Sequence, residues 1–261
     1  MILENLFLEL MKMFPMLNAY LAAGIFIFAR MLGFFRFAPV FNRKEIPGMV
    51  KIALALLMTI VLTCVVKPDV KIIQDSFVLS ILLNMVVGAM LGYIAQLILL
   101  AIDAGGDMVN MQMGLSSAMV LDPTTSSQVS IVGKLFSFLG LIIFIQLGGV
   151  YWLVSALIHS IEIFPLGATI IPLQQLVNLD YLVDLSSNVL FMGLQIASPI
   201  LLATLGQDII LGVISKTAPQ VNVFQLSFLF KPVLGSAIMV WILPMLVNII
   251  TDYFLSYSKI I

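Results

Sequence analysis

The chain has 261 residues, of which 62% are apolar and only 10% charged, with a formal net charge of −1. Soluble globular domains run at roughly 45–50% apolar and about 25% charged, so the composition excludes a water-soluble globule and describes an integral membrane protein. No basic patch suited to nucleic acid appears, and with a net charge this small only the positions of the charges carry information.

A bilayer core about 30 Å thick is crossed by about 20 helical residues, which makes the length of the charge-free runs the informative quantity. Read between charged residues or His159, the runs are 13–29, 52–66, 76–102, 135–158, 185–207 and 232–251. They predict an all-α integral membrane protein of about six long, partly kinked hydrophobic helices, as a single membrane domain over 1–261. A β-barrel would show alternation over about ten residues per strand, and none is present. Glu4 and Glu9 precede the first lysine, with no basic n-region or small-residue cleavage site, so no cleavable signal peptide is expected. The single cysteine, Cys64, lies within an apolar run and reads as a packing residue.

The first helix is predicted over 13–35 with Arg30 inside it. An arginine at that depth either snorkels to the interface or faces protein, and the protein partners in view are Asp103 and Asp107. The connection 36–51, RFAPVFNRKEIPGMVK, is basic and bracketed by Pro39 and Pro47, so it reads as an ordered turn on one rim. The positive-inside rule puts it on the cytoplasmic side, with both termini outside. A second helix over 48–66 stops at Lys67-Pro68. The third run, 76–102, contains Gly88 and Gly92, a G-x-x-x-G pair that lets helix backbones approach closely in a membrane.

Residues 105–128, GGDMVNMQMGLSSAMVLDPTTSSQ, break the hydrocarbon-like pattern by turning small, polar and methionine-rich. If residues 103–119 are helical, Asp103, Gly106, Asp107, Asn110, Gly114 and Ser117 share one side, and Met108, Met111, Leu115 and Met119 fall mostly on another. Pro123 lacks an N–H and restricts Asp122, which predicts a helix end near Leu121 and a loop over 122–128.

A fourth helix is predicted over 131–158, with Gly133, Ser137 and Gly140 near one face and His159 as an interfacial side chain closing it. The connection 162–184 contains Pro165, Gly167 and Pro172 and reads as a short surface helix and a turn. The fifth helix, from 185 to 214, carries Gly193 and Ala197 at close-packing spacing and a kink at Pro199. It crosses Asp208, read either as an interface residue or as a contact lining a pathway. Residues 215–231 return the chain, and the sixth helix takes 232–251 with Pro244 near its end.

An enzyme needs convergent groups, and the best set is Ser116 or Ser117 with His159 as base. The match to G-x-S-x-G fails at Ala118, and the strand–turn–helix context is absent. One histidine and one cysteine do not make a zinc site, and no phosphate-binding loop appears. No catalysis, metal or cofactor is expected. An ion-coupled secondary transporter is the rival reading, with Arg30, Asp103, Asp107 and Asp208 as an intramembrane path. No inverted repeat supports it.

Four stretches, in order and at matching spacing, resemble FliR, the family that supplies a subunit of the flagellar type III protein export gate. They are ARMLGFFRFAPVFNRKEIPGMVKIALAL (29–56), GGDMVNMQMGLSSAMVLDPTTSSQVSIVGKL (105–135), EIFPLG (162–167) and KTAPQVNVFQLSFLFK (216–231). The DP-xxxx-Q element at Asp122, Pro123 and Gln128 and the APQ-x-NVF element with Pro219, Asn222 and Phe224 are specific in combination. Injectisome relatives, the SctT family, resemble the same pattern.

The resemblance implies a non-enzymatic subunit of the bacterial inner membrane and flagellar basal body. It implies packing with FliP and FliQ subunits into a conduit for unfolded flagellar proteins, with FlhB and FlhA beside it and lipid around it. Kinked hairpins sitting partly above the bilayer are implied as well. It places a plug-like seal within 105–128, for which the candidate residues are Met111, Met113, Gly114, Leu115, Ser116, Met119 and Asp122. Methionine suits that task, since an unbranched thioether adapts to irregular neighbours without polar cost. The candidate family-motif or subunit-packing residues are Arg30, Pro39, Pro47, Gly88, Gly92, Pro123, Gln128, Asp208, Pro219, Asn222, Phe224 and Lys231.

Overall fold

A computed structural model of the chain describes residues 15–43, 45–66, 77–118, 120–122, 127–167 and 179–258. In chain order the helices are α1 (Pro15–Phe37), α2 (Gly48–Val65), α3 (Phe77–Gln112), α4 (Ile131–Gln146), α5 (Gly149–Ile163), α6 (Leu179–Thr217) and α7 (Val223–Ser258). Between α3 and α4 lie a 3-10 turn (Leu115–Ala118) and two short strands, β1 (Val120–Asp122) and β2 (Ser127–Val129). The strands pair antiparallel, with Leu121 opposite Gln128. Five helices are long and apolar enough to cross a membrane, or six if α4 and α5 together form one bent span. The expected all-α membrane architecture is therefore present, with the small hairpin as an addition.

The helix ends differ from those expected, and the reasons are local. The third helix runs through Asp103 to Gln112 and ends well before Leu121. Gly114 takes a left-handed φ of 73° there, which closes the helix as only glycine does cheaply. The fourth helix is broken, not continuous: α4 and α5 are bent by 67°. Gly148, at φ 77°, caps α4, and its carbonyl accepts from Tyr151 N to begin α5. The last helix begins at Val223 and contains both Pro232 and Pro244. The surface helix expected within 162–184 falls mostly on 168–178, outside the described residues.

The connection after α1 is an ordered turn, as its prolines suggest. Ala38 N donates to Phe34 O and Asn42 N to Ala38 O, with Pro39 buried between them. Val40 sits at φ 71°, a region that β-branched residues seldom occupy. Pro47, whose carbonyl accepts from Val50 N and Lys51 N, starts α2.

Two compact units are formed, Met1–Gln96 with Leu153–Leu182, and Leu97–Trp152 with Val183–Ile261. In a membrane, helix association draws on close packing and hydrogen bonds more than on the hydrophobic effect, and each unit is built that way. In the first, Gly33 of α1 and Gly88 and Gly92 of α3 form a mutual close crossing. A Cβ at Gly92 would lie 2.6 Å from Phe34 O, and one at Gly88 would overlap the Arg30 carbonyl. Ala23, Phe26, Ile27 and Met31 of α1 are fully buried beside this crossing.

In the second unit the small residues of α3 serve two neighbours. A Cβ at Gly105 would come within 2.9 Å of Gly193 O on α6. A Cβ at Gly106 would come within 2.8 Å of Gly133 Cα on α4. Further along α4, Gly140 accommodates Ile102, and Phe144 meets Phe254 of α7 at a ring separation of 5.5 Å.

Candidate functional site

The polar side of α3 is occupied by helix capping. Ser130 is the N-cap of α4, and its hydroxyl accepts from Gly133 N at 2.9 Å. The same hydroxyl donates to the Asp107 carboxylate, while Asn110 Oδ1, buried, accepts from Val132 N at 3.5 Å. An N-terminus carries unpaired N–H groups and the positive end of the helix dipole, so Ser130 and Asn110 accept from its N–H groups and Asp107 supports it through Ser130. Asp107 is thus engaged in holding α4.

Beyond Asn110 the candidate seal begins, and its methionines divide. Met111 is 71% exposed, whereas Met113 is 1% exposed. Met113 N closes the last turn on Val109 O, and its side chain lies against Gly235 of α7. A Cβ built on Gly235 would be 2.6 Å from Met113 Cγ, 2.9 Å from Cε and 3.1 Å from Sδ. Gly114 follows in its left-handed turn, and Leu115 and Ser116 enter the 3-10 segment half-buried. The Ser116 hydroxyl oxygen is buried without a partner among the described residues. An orphan buried hydroxyl costs about 1–3 kcal/mol.

Asp122 and Gln128 lie on the two strands, where only the backbone is described. Met119 and Pro123 are outside the described residues. Of the seal candidates, the structure brings Met113, Gly114, Leu115 and Ser116 into one continuous piece. Gly235, which faces Met113, was not singled out by sequence reasoning, because an isolated glycine in an apolar helix is common.

Among the family-motif candidates, Asp208 and Lys231 form an ion pair. Nζ lies 2.7 Å from Oδ1 and 3.0 Å from Oδ2. The pair joins α6 to α7, and Lys231, expected to precede the last helix, lies within it. Between them the turn places Pro219 at the surface, and Asn222 Oδ1 accepts from Gln225 N at 3.3 Å to cap α7. Phe224 is 76% exposed and touches Phe228.

Arg30, in the first unit, faces protein, but with other partners than those expected. It is fully buried, so it does not snorkel, and its partners are neutral and not Asp103 or Asp107. Nε and Nη2 both donate to Asn84 Oδ1, at 3.0 and 2.6 Å. Nη1 donates to Ser160 Oγ at 3.0 Å, and Nη2 also to Phe164 O at 2.8 Å. The guanidinium lies over the Phe164 ring, 5.6 Å from its centre. Asn84 uses both amide hydrogens in turn, on Ser80 O and Leu166 O.

The guanidinium therefore sits at the C-terminal end of α5, where unpaired carbonyls and the negative end of the helix dipole favour a cation. Asn84 and Ser160 were missed in the sequence. The available signal was one of two amides, Asn84 and Gln96, in the apolar run 76–102, since polar groups at such depth have defined partners. Two of the four resemblance stretches, the one around Arg30 and EIFPLG, meet at this point.

A helical membrane protein with glycine-mediated crossings, a buried arginine node and a methionine-bearing turn is the class these features define. The chain belongs to the family described as bacterial export proteins, family 1, whose model matches residues 21–257. It is similar to the flagellar biosynthetic protein FliR of Escherichia coli K12, at 26% identity over 219 residues, covering 83% of this chain and 82% of that protein. It is also similar to FliR of Bacillus subtilis, at 26% over 204 residues, covering 77% and 78%. The Yop proteins translocation protein T of Yersinia pestis is 30% identical over 168 residues, 64% of each chain. The resemblance read from the four stretches is borne out at the level of family, and the chain is a membrane protein of a bacterial export apparatus.

Proposed function

We propose that this protein is a subunit of the flagellar type III export gate in the inner membrane. It acts as a single membrane domain that lines part of the channel for unfolded flagellar proteins, and the turn after α3 contributes a plug-like seal. FliP and FliQ are its packing partners, with FlhB and FlhA alongside, and it catalyses nothing. The observation that carries the seal is Met113 buried against Gly235, followed at once by the left-handed Gly114 and the 3-10 segment. A seal needs an adaptable apolar side chain at the point of closure and a backbone that can turn there, and these adjacent residues supply both.

The full-length chain is expected to copurify with two other small membrane subunits. Deleting residues 114–119 should raise ion conductance of the assembled complex without loss of those subunits. Unchanged conductance in an assembled complex would sink the seal; a stable monomer that drives ion-coupled solute uptake in liposomes would sink the gate.

The similarity to the Yop translocation protein favours a second reading, an injectisome export gate subunit. Expression in a non-motile FliR-deletion strain of a flagellated bacterium separates the two. Restored swimming supports the flagellar assignment, and restored effector secretion in an injectisome mutant, without swimming, supports the other.

A further inference from the structure

Resting on the reading of this segment as a seal, the geometry points to Gly235 as its seat: a notch in α7 that holds Met113 and so keeps the turn after α3 closed. Three observations in the second unit converge on it. First, Met113 is buried although Met111, two residues before it, is 71% exposed, so it is Met113 that packs inward where α3 ends. Second, the notch exists only because position 235 lacks a Cβ, which would meet Met113 Cγ at 2.6 Å. Glycine inside a helix is otherwise disfavoured relative to alanine.

Third, the segment beyond the anchor is set to leave. Gly114, at φ 73°, is a backbone joint adjoining the seated residue. The Ser116 hydroxyl, two residues on, is buried with no partner among the described residues, and it gains partners on exposure. The closed position is therefore held by a knob in a notch and opposed by an orphan polar group, an arrangement with two states. Gly235 is a positioning residue: displacement of α7 withdraws the notch from Met113, and the segment swings at Gly114.

The test uses a Ser116→Cys probe in a Cys64→Ser background, within the assembled export complex in membrane vesicles. Maleimide labelling of the probe and ion conductance are both read with Gly235, Gly235→Ala and Gly235→Val. Labelling is expected to be about tenfold faster in Gly235→Val, as a tenfold larger unseated population gives, and intermediate in Gly235→Ala. Conductance should rise in the same order with copurifying subunits unchanged.

If Gly235→Val fails to assemble, Gly235→Ala keeps the helix, since alanine favours it. Met113→Ala then empties the notch from the other side. Both single changes should raise labelling, and the double change should not exceed Met113→Ala alone. Labelling and conductance unaltered at Gly235, while deletion of 114–119 does raise conductance, would overturn the seat and leave the seal standing. No effect of the deletion would remove the seal reading and the seat with it.

Discussion

Arg30 donates four hydrogen bonds in a fully buried setting, all to neutral oxygens. A buried cation without a carboxylate depends on every one of those acceptors, because each missing bond leaves charge uncompensated at low dielectric. Asn84→Ala removes the acceptor of two donors and the donor to the Leu166 carbonyl, so it should cost about 2–4 kcal/mol. Arg30→Lys should be similarly costly, since a point charge cannot span the fork to Asn84, Ser160 and Phe164. Arg30→Met combined with Asn84→Leu should be milder than either single change, as apolar replacement of a buried polar set often is. Thermal denaturation of the purified protein in detergent reads all of these, and an Asn84→Ala variant as stable as the parent would refute the account. The arginine was visible in the sequence as an anomaly of depth. Its partners were not, because they lie 54, 130 and 134 residues away, and one polar residue in an apolar run looks much like another.

At the level of elements, charge proved a poor marker of helix ends and glycine a better one. Helix α3 runs on through Asp103 and Asp107 to the left-handed Gly114, and the expected long fourth helix divides at the left-handed Gly148. The type and number of elements were legible from the apolar runs, whereas the 67° break and the early start of α7 were not. Conformation at a glycine, and the pairing of a charge with another helix, are tertiary facts that periodicity does not contain. The same lesson gives opposite signs for one substitution. At Gly88, alanine would thrust its Cβ into the Arg30 carbonyl, a backbone atom that cannot rotate away, so Gly88→Ala should separate α1 from α3 and lower the melting temperature. At Gly206 nothing lies within 4 Å, and Gly206→Ala should stabilise α6 by about 0.5–1 kcal/mol through helix propensity alone. A Gly88→Ala variant as stable as the parent would show that the close crossing is not what holds the first unit together.

For the molecule as a whole, the open question is what covers α6 and α7, whose apolar side chains include Leu202 and Trp241 at 70% and 83% exposed. The Asp208–Lys231 pair lies on these helices with side chains 42% and 20% exposed, so its energetics report the surroundings that the assembled protein supplies. In water such a pair is worth about 0–1 kcal/mol, and losing one partner is nearly silent. Under a partner subunit or lipid, the remaining charge is stranded, and breaking the pair costs about 3–5 kcal/mol, whereas removing both charges is close to neutral. As a gate subunit with this hairpin covered, the protein should respond asymmetrically. Asp208→Asn and Lys231→Met should each reduce incorporation into the complex, measured by copurification, and the double change should restore it. Single changes that leave incorporation intact but lower export would instead place Asp208 on the substrate path. Single changes silent in both assays would mean that the hairpin stays in water, which no buried position in a membrane complex permits.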